Sequence, residues 1–154
     1  MKNTIRISLI VIMLAILLAP ASPAAAATKT TCSYWYTEMV VVDPGDVVVL
    51  PSGNVHIRGM IIHIRINSDC SYLVGEGRVV LDENLNVSMT GPGGGTSHFV
   101  SDEGGAWDLV WEGWTINNVP AGLHGMANGS LKYEGMKAWF DEGPGGNTIT
   151  VLEH

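Results

Sequence analysis

Basic residues are scarce in this sequence, and their scarcity excludes several kinds of partner. Lys and Arg together number 8 against 15 Asp and Glu, which gives a formal net charge of −7. Proteins that bind nucleic acid or acidic lipid surfaces need clustered Lys and Arg to neutralise phosphate groups. The composition therefore predicts neither a nucleic-acid partner nor attachment to an acidic membrane surface.

The short motifs that signal catalysis or cofactor binding are also absent. The sequence has no Gly-x-Ser-x-Gly elbow, Walker loop, dinucleotide fingerprint, His-Glu-x-x-His segment or Ca²⁺-binding loop. The glycine run at residues 91–95 lacks the lysine of a phosphate-binding loop and is not followed by a helical pattern, so it is predicted to be an ordinary loop. No nucleophile stands beside a base. The sequence predicts no catalytic residue, no cofactor and no metal ion.

Cysteine is limited to Cys32 and Cys70. Their spacing is not the C-x-x-C of a redox pair, and an even pair in an exported protein is most simply a structural disulfide. Residues 32–70 would then form a closed loop of 39 residues. A loop of that length contributes about 4 kcal/mol to the free energy of unfolding on a chain-entropy estimate.

The N-terminus has the three parts of a secretory signal peptide. Lys2 and Arg6 form a basic start, residues 7–19 form an apolar run, and residues 25–27 offer an Ala-x-Ala cleavage site. The apolar run is shorter than the roughly 20 residues that span a bilayer, so no stable membrane insertion is expected after cleavage. The sequence predicts a signal peptide at residues 1–27 and a secreted or periplasmic mature protein.

The remaining residues, 28–154, have the size of one domain and almost no helical periodicity. Short alternating and β-branched runs are frequent, and all 19 glycines fall among them. The predicted extended segments span residues 34–42, 47–50, 55–66, 72–81, 86–90, 97–100, 107–117, 123–131, 137–141 and 148–152. This pattern predicts an all-β domain of eight or nine strands. An antiparallel barrel is favoured over a sandwich because a barrel leaves no free strand edge.

The triplet His-Ile-Arg occurs twice in one predicted strand, at residues 56–58 and 63–65. The alternation of apolar residues slips once between them, and a β-bulge at residues 59–61 would restore it and bring all the polar side chains to one face. The two histidines are separated by more than about 20 Å along an extended strand, which is too far for them to share one metal ion. Each triplet is either a solvated face with carboxylate neighbours or an internal polar group, and His56 and Arg58 are the favoured internal pair.

A tryptophan-rich strand offers the candidate walls of a binding pocket. Trp107 and Trp111 share one face by alternation, and they either line a pocket or simply fill the interior. An internal arginine needs a carboxylate partner, and Glu76, Glu112 and Glu134 are available on other strands, with Glu112 and Glu134 favoured.

The tryptophan strand with Gly113, followed by GLHGMANGSLKYEGMK at residues 122–137, resembles small exported bacterial proteins with a calycin-like barrel. It is more distantly similar to the allene oxide cyclase and dirigent barrels, and the resemblance covers residues 54–140. It implies an eight-stranded antiparallel barrel with an apolar cavity, often in an oligomer, whose plant members guide cyclisation or coupling without a redox cofactor. No position here matches a proton donor of that group.

Three functions are compatible with these residues. The first is binding of a small, mostly apolar ligand, with Trp107 and Trp111 as walls and His56 and Arg58 as polar anchors balanced by Glu112 or Glu134. The second is a cofactor-independent cyclase or isomerase in which His56 or a buried glutamate moves a proton. The third is a structural or surface-interaction protein with a filled barrel. A homo-oligomer is a further expectation.

Overall fold

The computed structural model describes residues 27–153. The predicted signal peptide, residues 1–27, therefore lies outside the described residues except for its last one. No helix within the described range is long and apolar enough to cross a membrane.

The described residues form nine β-strands and one short 3₁₀ helix, Ser71–Leu73. The strands are β1 (Thr28–Asp43), β2 (Asp46–Val49), β3 (Val55–Ser68), β4 (Gly75–Leu85), β5 (Gly91–Ser101), β6 (Gly105–Ile116), β7 (Val119–Leu131), β8 (Lys137–Gly143) and β9 (Gly146–Glu153). All pairings between them are antiparallel. The predicted all-β, single-domain class is confirmed.

The sheet closes on itself in a ring. From β3 to β9 each strand pairs with the next, and β1 pairs with both β9 and β3. Because β2 follows β1 along the same edge of β3, nine strands occupy eight positions around the ring. Starting from Thr30 in β1, one can follow directly paired residues from strand to strand around the ring. This path returns to β1 at Val41, which is 11 residues beyond Thr30. A stagger of this kind is what closure of a tilted sheet requires.

The predicted bulge in the histidine-rich strand is confirmed. Between Ile57 and Met60 strand β3 has one residue more than β4, and Gly59 adopts a left-handed backbone with φ 66°. The extra residue restores the alternation, so that Ile57 and Ile64 both face the interior and are buried. The polar residues of both triplets consequently share the outer face.

The prediction of a loop at the glycine run is wrong, because residues 91–95 begin strand β5. A Cβ atom on Gly91 would lie 1.8 Å from the carbonyl oxygen of Asn84, and one on Gly95 would lie 1.9 Å from that of Val80. Glycine is therefore needed here for close contact between β4 and β5, and not for a turn. The turn lies at residues 86–90, where the sequence predicts a strand, so that prediction is wrong as well.

The interior of the ring is a hydrophobic core at one end. Trp107 is only 2% exposed and stacks on Tyr133 with ring centroids 5.3 Å apart. Phe99, Phe140 and Val151 belong to the same buried cluster. The alternation predicted for the tryptophan strand thus places Trp107 correctly on the inner face.

Candidate functional site

The ring closes at a seam where β1 changes partner. Residues up to Ser33 pair with β9, and residues from Tyr34 onward pair with β3. The backbone N–H of Ser33 donates to Oδ1 of Asp69 at 2.8 Å, and the hydroxyl of Ser68 donates to the carbonyl of Ser33 at 2.8 Å. Side-chain hydrogen bonds thus reinforce the one place where β1 has to pass from one neighbour to the other.

The predicted disulfide is confirmed at this seam. Cys32 and Cys70 are bonded to each other, with their Cα atoms 5.9 Å apart. Together with Asp69 they form the one grouping of His, Cys, Asp or Glu in residues 27–153 that has the spacing of a metal site. Because both sulfur atoms are already bonded to each other, we assign the group a structural role.

Next to the seam lies a cavity of about 100 Å³ inside the ring, partly open to solvent. Its lining is mainly apolar and includes Ile64, Ile66, Leu73, Phe99, Leu109 and Phe140. A closed apolar cavity of roughly 150 Å³ can admit benzene. The space as it stands therefore suits a molecule of only a few non-hydrogen atoms, or one end of a longer one.

One carboxylate, that of Glu142 at the end of β8, reaches into this cavity. The hydroxyl of Tyr34 donates to Oε1 of Glu142 at 2.6 Å, and the hydroxyl of Tyr36 donates to the same oxygen. Tyr34 is 8% exposed, and its ring lies edge-on to that of Tyr36 at 6.0 Å. Both tyrosine hydroxyl groups donate to one carboxylate oxygen, which leaves the other oxygen for a different donor.

The protonation of these tyrosines follows from their surroundings. Burial, the neighbouring Tyr36 and the carboxylate of Glu142 raise the pKa of Tyr34 above its ordinary value. Burial and the same carboxylate also raise the pKa of Tyr36. Both side chains therefore remain neutral hydrogen-bond donors at physiological pH. Among residues 27–153, no Lys or Arg forms an ion pair with Glu142.

A second polar group in the cavity wall lacks a partner. The indole Nε1 of Trp111 is buried and has no hydrogen-bond partner among the described residues. The same side chain lines the cavity. Buried donors are usually satisfied, so an orphaned one beside a cavity marks a place where a bound acceptor would fit.

The structure places His56 and Arg58 differently from the favoured prediction. Both lie on the outer face of β3, because Ile57 between them faces inward. The Arg58 guanidinium donates to the carbonyl oxygens of Ile57 and Glu83 and to the side chain of Asn84. The prediction that they point into the interior is wrong, since burial of the isoleucines decides the orientation of the strand.

The second triplet shows the solvated alternative. Arg65 forms ion pairs with Glu76 at 2.7 Å and Asp102 at 2.9 Å, all on partly exposed side chains. The predicted solvated face with carboxylate neighbours therefore describes residues 63–65 well.

The two predicted carboxylates also lie outside the cavity. Glu112 is exposed on the outer face of β6, where His124 is its ion-pair neighbour at 3.3 Å. Glu134 is exposed in the turn that follows β7. Of the six predicted ligand-binding residues, only Trp107 and Trp111 line the cavity.

Glu142, Tyr34 and Tyr36 were missed, although the sequence contains a signal for them. Residues 138, 140 and 142 alternate as Ala, Phe and Glu, which puts a charged residue in phase with a buried face. Residues 32, 34 and 36 alternate as Cys, Tyr and Tyr in the same way. A charged side chain in phase with core residues would have identified Glu142.

Fold and site together define a ring-closed antiparallel β domain with one carboxylate and one unsatisfied indole donor in an apolar cavity. Comparison of the chain with protein-family models, curated proteins and solved structures finds no match in any of the three. The resemblance to calycin-like proteins therefore stays a prediction. Glu142 contributes a carboxylate and Trp111 an indole with an unsatisfied donor to a cavity lining that is otherwise mainly apolar.

Proposed function

We propose that the protein is a secreted barrel of the calycin type that binds a small, mostly apolar molecule bearing a hydroxyl or amino group. The eight strand positions and the 11-residue stagger support a barrel. The disulfide supports an oxidising compartment. The observation that carries the binding proposal is the Glu142 carboxylate, which two tyrosines hold in the lining of an apolar cavity that Trp111, with its orphaned donor, also lines.

The chemistry of the ligand follows from the two free polar atoms. The second oxygen of Glu142 accepts hydrogen bonds, and an uncompensated internal carboxylate favours a positively charged donor. Trp111 Nε1 donates and needs an acceptor. A hydroxyl group can donate to Glu142 or accept from Trp111, whereas a protonated amine donates to Glu142 and supplies a positive charge. A carboxylate ligand would be repelled.

Three probes of similar size test this order: n-butylamine, n-butanol and butyrate. The readout is the ¹H–¹⁵N spectrum of the five tryptophan indole groups, with Trp111→Phe to assign the signal. The best ligands of this size gain about 1.5 kcal/mol per non-hydrogen atom, and roughly half of that ceiling over five atoms corresponds to a dissociation constant near 1 mM, which is the value we expect for these simple probes. Butylamine should bind most tightly, then butanol, while butyrate should leave the Trp111 signal unchanged.

The Glu142→Gln variant is the matched control, because it keeps the shape and one acceptor but removes the charge. It should weaken butylamine by about tenfold, the scale of a lost charge-assisted hydrogen bond. Butanol should change little. If no probe moves the Trp111 signal, the interior is filled and the structural alternative replaces ligand binding.

A cofactor-independent isomerase is the second candidate, favoured by the same carboxylate. Glu142 lines an apolar cavity and holds two tyrosine hydroxyl groups on one oxygen only, so its carboxylate is a candidate general base for a substrate proton. The test is hydrogen–deuterium exchange at the α-carbons of butanone, followed by NMR. Exchange that is faster with the protein and lost in Glu142→Gln would support catalysis, whereas equal rates in both would exclude it for this probe.

A further inference from the structure

Much of the strand formed by β1 and β2 has a free edge. Residues 34–43 pair with β3, and so do residues 46–49, whereas pairing with β9 ends at Ser33. Within residues 27–153 no strand pairs with the opposite edge of residues 36–49. We call this segment the edge ribbon. Its unpaired backbone N–H and C=O groups are available to a further strand.

The edge ribbon is apolar on both faces, and its apolar side chains are exposed. Val41 lies opposite the inward-facing Ile62, whereas Val40 lies opposite the outward-facing His63. Exposed fractions range from 46% for Val40 to 67% for Val49. The exposed set comprises Met39, Val40, Val41, Val42, Val47, Val48 and Val49. A contiguous exposed apolar patch of this kind marks an interaction surface.

The sequence of the ribbon is a palindrome apart from its central dipeptide. Residues 40–49 are Val-Val-Val-Asp-Pro-Gly-Asp-Val-Val-Val, so three valines and an aspartate stand in mirrored order on either side of Pro44-Gly45. An antiparallel strand from a second copy runs in the opposite direction and so presents the same order of valines and aspartates. The ribbon is therefore complementary to itself about a two-fold axis at Pro44-Gly45, as an isologous interface requires.

A bulge in β1 determines how the ribbons of two copies can be aligned so that the inner face of one continues the inner face of the other. The register shifts between Val41 and Asp43, which leaves Val42 as the extra residue. With Val42 left out, inward residues oppose inward residues and outward residues oppose outward ones. The pairs across the axis are then Met39 with Val49, Val41 with Val47, Val40 with Val48, and Asp43 with Asp46.

We propose that the protein forms a two-fold dimer by antiparallel pairing of the edge ribbons of two copies. The pairing covers the exposed valines of both copies and satisfies both free edges, so it closes at two copies and cannot continue into a filament. Asp43 and Asp46 bring four carboxylates to the axis. Like charges opposite one another weaken strand pairing, so these residues keep the dimer reversible.

The first test is sedimentation velocity over a dilution series, with protein produced from the full-length sequence in an exporting host. The wild type should be a dimer. Val40→Lys and Val48→Glu should each raise the dissociation constant by at least about tenfold, because an unpaired charge faces a valine. Mixing these two variants should restore a heterodimer, because the introduced ammonium and carboxylate groups face each other across the axis.

Two control variants define the register and the surface. Mixing Val40→Lys with Val49→Glu should not restore the dimer, because residue 49 lies on the opposite face. Val87→Lys, on another exposed valine, should leave the dimer unchanged. Should a charged variant fail to fold, Val48→Thr keeps the branched shape, and it should still weaken the dimer measurably.

A further variant acts in the opposite direction. Asp43→Asn combined with Asp46→Asn removes four like charges at the axis and should tighten the dimer by roughly fivefold. A wild type that is monomeric at the highest attainable concentration would overturn the proposal. A dimer that persists in both the Val40→Lys and the Val48→Glu variants would also overturn it. The same holds if Val40→Lys forms a dimer as readily with Val49→Glu as with Val48→Glu.

Discussion

The cavity wall at Glu142 and the edge ribbon at residues 36–49 depart from the usual distribution of side chains in opposite directions. Inside the ring, a carboxylate with no cationic partner among residues 27–153 lies among apolar walls. On the edge ribbon, seven apolar side chains are about half exposed or more. Partial burial of an unpaired carboxylate and exposure of valines both cost free energy.

The difference between the two regions lies in what each one lacks. In the cavity, Tyr34 and Tyr36 donate to one oxygen of Glu142, and no donor among residues 27–153 reaches its second oxygen. The ribbon has a complete partner along β3 and needs a strand along its other edge. The proposed small-molecule site and the proposed dimer surface thus lie in separate parts of the molecule, and we expect that each can be removed without the other.

The largest effect is expected at the seam beside the cavity. Replacing both Cys32 and Cys70 by Ala should lower the free energy of unfolding by about 4 kcal/mol, because the unfolded chain is no longer cross-linked. Urea denaturation measures the change, and reduced wild-type protein should unfold at nearly the same concentration as the variant. A loss below about 1 kcal/mol would mean that the hydrogen bonds of Ser33 hold the seam without the disulfide.

A smaller effect is expected from the donors to Glu142. Tyr34→Phe removes a hydrogen bond to a charged group and should cost about 2 kcal/mol. Tyr133→Phe is the matched control, since its buried hydroxyl donates to the hydroxyl of Ser101, a neutral acceptor, at 2.9 Å. That variant should cost about 1 kcal/mol. Equal losses in urea denaturation would show that the internal carboxylate adds nothing to the hydrogen bond.

Alkaline pH should destabilise the cavity side in a predictable direction. The pKa values of Tyr34 and Tyr36 are raised in the folded state, so the folded protein keeps protons that the unfolded chain releases. Their contribution is complete below pH of about 10 and is lost as the pH rises further. Each tyrosine should lower the free energy of unfolding by about 1 kcal/mol between pH 10 and 11. Replacing both by Phe should flatten this slope, and an unchanged slope would assign it to other groups.

The smallest effect is expected on the ribbon of a single copy. Val48→Thr changes a side chain that is 52% exposed and keeps its branched shape. The free energy of unfolding, measured at a concentration where the protein is monomeric, should change by less than about 0.5 kcal/mol. A loss above about 2 kcal/mol would show that the ribbon packs against something within the same copy.

Much of the local structure could be predicted because it depends on neighbouring residues. Alternation places Trp107 and Trp111 on the inner face, and the slip of phase near Gly59 locates the bulge. The pairing of the only two cysteines is confirmed as well. The strand features depend on a few neighbouring residues, and two cysteines allow only one pairing.

The site itself depends on contacts between distant residues. Tyr34 and Glu142 are 108 residues apart in the chain, and only closure of the ring brings them together. Alternation with Ala138 and Phe140 places Glu142 on an inner face, but only that pairing shows that the carboxylate meets Tyr34. His56 and Arg58 were assigned to the interior against the stronger requirement to bury Ile57.

The change of pairing partner in β1, from β9 to β3 after Ser33, also affects the order in which the strands can pair during folding. Cys32 in β1 pairs with Ile149 in β9, so the first strand to be synthesised has to wait for the last one. Contacts of such long sequence separation close late because the chain must first give up the entropy of a long loop. The bond to Cys70 and the pairing with β3 need only the first half of the chain. They can hold β1 in position before β9 arrives to close the ring.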